Sequence, residues 1–307
     1  MFTSRLVNWM NQVDPYAIQR VALHKAIFIA TILTFIYWFF RPENFLMFVA
    51  PLIVTAWYEM PFLSSQKEKN ETMVFIFTSV ITTAISFYLI YPFKLVFPVY
   101  AIILFIILFS LIWTRRPKIR NVPMLIISIG ALSLSIQPMA SLQIGIGIFS
   151  SMILSMLVLL ICLNLYPNVA LIIWTRAMQH YIRCIEGDIT ATIEHLPLSS
   201  LSEEVQHVDI VRSYQTLLPK TCFSPAFKLY FNIRNIQFAL NSIYYQEMNP
   251  LFWNAVKNHL QELRQHMSIP LQIDFSTIVL NPSTPFQHLI NTYLLTAIRH
   301  WNALCKK

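Results

Sequence analysis

Between residues 72 and 175 the chain carries no Asp, Glu or His, and its five charged residues there are all Lys or Arg. A stretch this long without an acid is hard to place in a water-soluble core-and-surface fold, where roughly a quarter of residues are charged. Over the whole chain 12% of residues are charged, 56% are hydrophobic and mean hydropathy is +0.56. Much of the polypeptide is therefore expected to be dissolved in lipid.

A helix crossing the hydrocarbon core needs about 20 mostly apolar residues. Six segments meet this: 21–40, 44–60, 72–91, 95–113, 122–140 and 144–165. The first is too long for a signal peptide and has no cleavage pattern after it. Short-loop Lys and Arg set the orientation. One group of ends holds Arg5, Arg20, Lys25, Lys67, Lys69, Arg115, Arg116, Lys118, Arg120, Arg176 and Arg183, whereas the opposite group holds Arg41 and Lys94. Both termini are thus expected on the cytoplasmic side, with an even number of spans. The expected fold is all-α: an interfacial amphipathic helix over 1–14 (Phe2, Leu6, Trp9, Met10, Val13), six transmembrane helices over 15–175, and a cytosolic helical domain over 176–307.

The C-terminal third has its own start signals. Ser200 and Glu203 have capping-box spacing, and Ser224-Pro225, Asn249-Pro250 and Thr284-Pro285 pair a capper with a first-turn proline. Asp14-Pro15 makes the same pair before the first span. Apolar stripes run through Leu201, Val205, Val208 and Val211; Ile233, Ile236, Leu240 and Ile243; Phe252, Val256, Leu260, Leu263 and Met267; and Phe286, Ile290, Tyr293, Ala297, Trp301 and Leu304. Leu271, Ile273 and Phe275 alternate as an extended segment would. Trp174 falls where a helix leaving the membrane would cross the interface.

No cofactor or metal is expected: there is no CxxC, no HExxH and no Gly-rich phosphate loop, and the four cysteines have the spacing of reduced thiols. No nucleophile–base set or paired carboxylate suggests an enzyme. Nucleic acid is not an expected partner, because the positive charge does not gather on a soluble face.

Polar groups inside a membrane are costly and often functional. His24 and Lys25 lie near the start of the first span, and Glu59 lies at comparable depth at the end of the second. They read either as anchors or as a capture site, in which Lys25 attracts an anion and His24 or Glu59 exchanges a proton. Ser79, Thr82, Thr83 and Ser86 share a face of the third span, and Gly130, Ser133 and Gln137 a face of the fifth, beside Pro138. These stripes read as helix packing or as the wall of a semi-polar path.

The segments RVALHKAIFIATILTFIYWFF, NFLMFVAPLIVTAWYE and TRAMQHYIRCIEGDI, with six spans and a helical tail, resemble the fusaric-acid-resistance or aromatic-acid-exporter (FUSC-like) family over about residues 15–195. KNETMVFIFTSV lacks the Gly-Thr…Gly pattern common before the family's third span. The resemblance implies export of small aromatic or amphipathic carboxylates across a bacterial inner membrane, and a periplasmic adaptor. Longer members hold two such halves in one chain, so a single half implies a homodimer or larger homo-oligomer. The alternative is a membrane-anchored scaffold whose cytosolic domain binds a protein partner.

Overall fold

The computed structural model describes residues 9–10, 12–42, 45–49, 66–115, 122–136, 142–196, 201–243, 249–274 and 280–306. Among these every regular element is a helix: α1 Ile18–Phe40, α2 Phe45–Val49, α3 Gln66–Ile90, α4 Phe97–Arg115, α5 Val122–Ile136, α6 Leu142–Leu165, α7 Ala170–Ile193, α8 Leu201–Gln215, α9 Lys220–Ile243, α10 Pro250–Ser268 and α11 Pro285–Cys305. They form two compact units. One comprises residues 19–167; the other joins residues 1–18 to residues 168–307. The N-terminal segment therefore groups with the C-terminal helices.

In the unit 19–167, four helices are long and apolar enough to cross a bilayer: Ile18–Phe40, Lys67–Ile90, Phe97–Thr114 and Gly145–Leu165. This is consistent with a multi-pass membrane protein. The other two expected spans fall partly outside the described residues, which hold only the five-residue α2 and the 15-residue α5 of them. The interior packs Ile29 and Leu33 of α1, Met73, Ile76 and Val80 of α3, Ile126 of α5, and Met152 and Leu159 of α6. Outward faces are oily as well: Ile102, Ile103, Ile106 and Ile107 of α4 are exposed, as lipid-facing side chains would be. Gly130 permits a close approach of α3 and α5. A Cβ there would stand 2.9 Å from the Thr83 methyl and 3.3 Å from the Phe87 ring.

The unit built on residues 168–307 has a conventional buried core. α7 contributes Ile173, Ala177, Met178, Tyr181, Ile185 and Ile189. It packs against α8 and α10, and α9 packs along α11. The expected stripe Phe252, Val256, Leu260, Leu263 and Met267 is buried throughout. Trp174, expected at a lipid interface, is fully buried in this core. Val205, expected in a stripe, is instead 53% exposed.

Two of the cap expectations hold. Asn249 Oδ1 accepts from the Leu251 and Phe252 amides, and Thr284 Oγ1 accepts from the Gln287 amide. Two others are corrected. α9 starts at Lys220, with the Pro219 carbonyl accepting from the Cys222 and Phe223 amides, so Pro225 lies inside the helix. Near the N-terminus, Asp14-Pro15 does not start a helix. Pro15 and Tyr16 form a turn, Ala17 takes φ +62°, and α1 begins at Ile18. That turn seats Tyr16, 5% exposed, against the C-terminal helices. Ser200 lies outside the described residues. α7 ends without glycine: His195 takes φ +55°, and the Leu196 amide donates back to the Ala191 carbonyl.

Residues 271–274 are irregular rather than paired in a sheet, yet the backbones of Leu271 and Ile273 find partners in α11. Asn302 Oδ1 accepts from the Ile273 amide at 2.9 Å, and Asn302 Nδ2 donates to the Ile273 carbonyl at 2.8 Å. Trp301 Nε1 donates to the Leu271 carbonyl. One side-chain amide thus replaces a neighbouring strand. Asn302→Leu removes both bonds and is expected to cost about 2 kcal/mol, visible as an earlier unfolding transition of this unit followed by tryptophan fluorescence.

Candidate functional site

Those sequence-predicted membrane residues that are described differ in burial and in partner. Adjacent helix positions point about 100° apart, and His24 and Lys25 do so. Lys25 is 7% exposed, with Nζ 5.0 Å from the centroid of the Tyr166 ring. His24 is exposed and donates from Nδ1 to the Arg20 carbonyl at 2.8 Å. Thr83 is buried against Gly130, and Ser79 is half-buried. Thr82 is exposed and donates to the Thr78 carbonyl, while half-buried Ser86 donates to that of Thr83. These two hydroxyls serve their own helix rather than a neighbour. Glu59 and Gln137 lie outside the described residues, and Ser133 is placed only as a backbone position of α5.

A more complete site lies in the other unit. A cavity of about 930 Å³ is bounded by α7, by the end of α10 with the turn after it, by α11, and by Gln12 and Pro15. Its volume suits a small organic ligand, for which pockets of about 300–1,000 Å³ are usual. α7 supplies the polar wall. Arg176, His180 and Arg183 stand at i, i+4 and i+7, so a single helix face carries all three. Leu171, Met267, Pro270, Trp301 and Leu304 supply apolar wall. Among the described residues, three arginines and a histidine line the cavity, and no carboxylate does. Arg264 is held in an ion pair. Arg264 Nε donates to Glu186 Oε1 at 2.8 Å, and its terminal nitrogen donates to Oε2 at 3.0 Å. Gln179 Nε2 donates to Ser268 Oγ at 3.1 Å, bracing α7 against the end of α10.

His180 is held from behind. Its ring stacks on that of His207 with centroids 5.5 Å apart, and Tyr16 meets both rings edge-on at 5.6 and 5.8 Å. Burial, with a small contribution from the Cys184 thiol, pushes the Tyr16 phenol up to about 12. The phenol therefore stays protonated and hydrogen-bonds His207 Nδ1. His180 donates to the Pro15 carbonyl. Burial, then His207 and Arg183, and more weakly Arg176, hold the His180 imidazole below its usual pKa, against the small upward pull of the Pro15 carbonyl. At neutral pH the site thus presents fixed guanidinium charge beside a neutral imidazole. The Cys305 thiol at the rim is pushed up by burial and is a poor nucleophile.

A carboxylate placed here would favour the charged imidazole, so binding is expected to take up a proton. Calorimetry in buffers of different ionisation enthalpy measures that uptake directly. The ligand-free unit should respond oppositely. A folded-state pKa below the unfolded value of about 6.5 means that the unfolded chain binds more protons as pH falls. The stability contributed by neutral His180 is therefore present above that pH and is lost below it. Ligand should reduce this acid sensitivity.

In the sequence Arg176 and Arg183 read as membrane-orientation charges, and His180 carries no signal of its own. The four-residue and seven-residue spacings were available as a signal; the closing wall, from residues 267–305, was not. No family model, curated protein or solved structure matches the chain. Among the described residues, no group of three or more His, Cys, Asp and Glu could hold a metal ion.

Proposed function

We propose that the chain is a multi-pass membrane transporter of small amphipathic organic anions, with six spans and both termini in the cytoplasm, and that the basic cavity of its C-terminal unit captures the substrate. The observation that carries this reading is the cavity wall itself. Arg176 and Arg183 offer charge and hydrogen-bond donors to a carboxylate, joined by His180 once it takes up a proton, while Trp301, Met267 and Leu304 offer a surface for a ring or short alkyl body. The resemblance of the first two spans and the exit helix to aromatic-acid exporters points to the same ligand chemistry. On this reading Lys25 is a membrane-side cation on the route out, and the chain works as a homo-oligomer.

The absence of Asp, Glu and His from residues 72–175 favours a second reading. Without a carboxylate relay in those spans, they would serve as an anchor, and the helical unit would act as a scaffold or sensor. Cellular accumulation of hydroxylated benzoates, with and without the inserted protein, tests the choice. Export lowers accumulation of at least one compound severalfold. Unchanged accumulation across a broad panel, together with retained binding to the purified protein, would favour the sensor.

A further inference from the structure

A second surface of the C-terminal unit is both aromatic and cationic. Along the outside of α9, Phe223, Phe227, Phe231 and Phe238 follow helical spacing and are between 41% and 51% exposed. The first three rings stack in a row, and the fourth carries a guanidinium. Phe223 stacks on Phe227 with centroids 6.4 Å apart, Phe227 stacks on Phe231 at 6.2 Å, and the Arg234 guanidinium lies 4.8 Å from the centroid of the Phe238 ring. In a water-soluble helix these positions would ordinarily be polar.

Along α9 and α11 the charge has one sign, although α8, which also packs on α9, carries Glu203, Glu204 and Asp209. α9 contains Lys220, Lys228 and Arg234 and no acid; α11, packed along it, contains Arg299 and no acid. All nine carboxylates of residues 176–307 lie elsewhere in the sequence. Lys228 and Arg299 both act on His300, which, after burial, they help to hold below its usual pKa. Two such faces would repel each other, which disfavours a second copy as the occupant. A bilayer with anionic headgroups complements both features: phosphates meet the Lys and Arg, and phenyl rings enter the boundary between headgroups and acyl chains. The chain's four bilayer-length helices keep a lipid surface within reach of this unit.

We infer that the α9 face, Phe223, Phe227, Phe231 and Phe238 with Lys220, Lys228 and Arg234, docks on an anionic lipid surface. This stands independently of the cavity and of any transport activity.

Hydroxyl-radical footprinting of the full chain tests it, with one chain per nanodisc, in phosphatidylcholine alone or in phosphatidylcholine with phosphatidylglycerol at about three to one. Oxidation of the four phenylalanines is expected to fall at least about threefold in the anionic discs. Exposed Leu251 and Ile269, on and beside α10, should not change. Salt at about 1 M, which shortens screening to roughly 3 Å, should restore oxidation, as should Lys220→Glu with Lys228→Glu. Equal rates in the two lipids would overturn the inference. So would protection that arises only with two chains per disc, which would make a second copy the occupant.

Discussion

Replacing Arg176 and Arg183 together by glutamine is expected to weaken binding of a hydroxylated benzoate to the purified protein by about 100-fold. A hydrogen bond to a charged group is worth about 1.5–3 kcal/mol. Arg183 is exposed and Arg176 half-buried, so solvent screening reduces that figure, leaving about tenfold for each. Glutamine keeps the length and some donor capacity, so the loss reports charge and fork geometry rather than a hole in the wall. Arg183→Lys should fall between wild type and the glutamine variant, because an ammonium keeps the charge without the planar pair of donors. The measurement is calorimetric Kd, with the far-UV circular dichroism of each variant as the check on folding. A double variant that binds as tightly as the parent would remove these residues from the site. The same variant should take up less proton on binding, because removing both guanidinium charges already relieves part of the downward hold on the His180 imidazole.

What could be read from the chain in advance was largely periodic. Apolar recurrence identified the four long oily helices and the buried stripe from Phe252 to Met267, because burial of one helix face is written locally, every third or fourth residue. Local capping chemistry was equally legible where the capper precedes a proline that begins the helix, as at Asn249 and Thr284. It misled at Ser224 and Asp14. Pro219 offers an earlier start to α9, and the burial of Tyr16 against His180 and His207 shapes the turn before α1. The cavity was half legible. Its polar wall is a single-helix pattern, but its apolar wall comes from segments that follow α7 by some 80–120 residues, and no local rule places Trp301 opposite Arg176. Trp174 shows the same limit from the other side. A tryptophan following an oily run reads as a membrane-interface marker, yet α8 and α10 cover α7 and bury it. The aromatic strip on α9 is hard to read from the sequence because the helix's inward stripe of Ile233, Ile236 and Leu240 already accounts for its apolar content.

The largest effect on stability should come from Arg264→Met. Glu186 has 7% of its side chain exposed, and both of its oxygens accept from the Arg264 guanidinium, whose side chain is 24% exposed. The fork geometry satisfies the carboxylate in a place where water does little for it. Deleting the arginine strands a buried negative charge between α7 and α10, and breaking such a pair typically costs about 3–5 kcal/mol. The partial exposure of Arg264 lets some water in, so the lower end, about 3 kcal/mol, is expected. That is a large share of the 5–15 kcal/mol that holds a typical domain together. The reciprocal change should be milder. Glu186→Gln with Arg264 intact leaves a cation that can turn towards the cavity, where it would add to Arg176 and Arg183 and tighten anion binding. Combining Glu186→Gln with Arg264→Met should recover more than half of the lost stability, because the charge that needed a partner is then gone. A double-mutant cycle on the denaturant-induced unfolding of this unit measures the coupling. A coupling near zero would mean that the pair is no more than a surface ion pair, and that apolar packing and the Gln179–Ser268 bond hold α7 to α10.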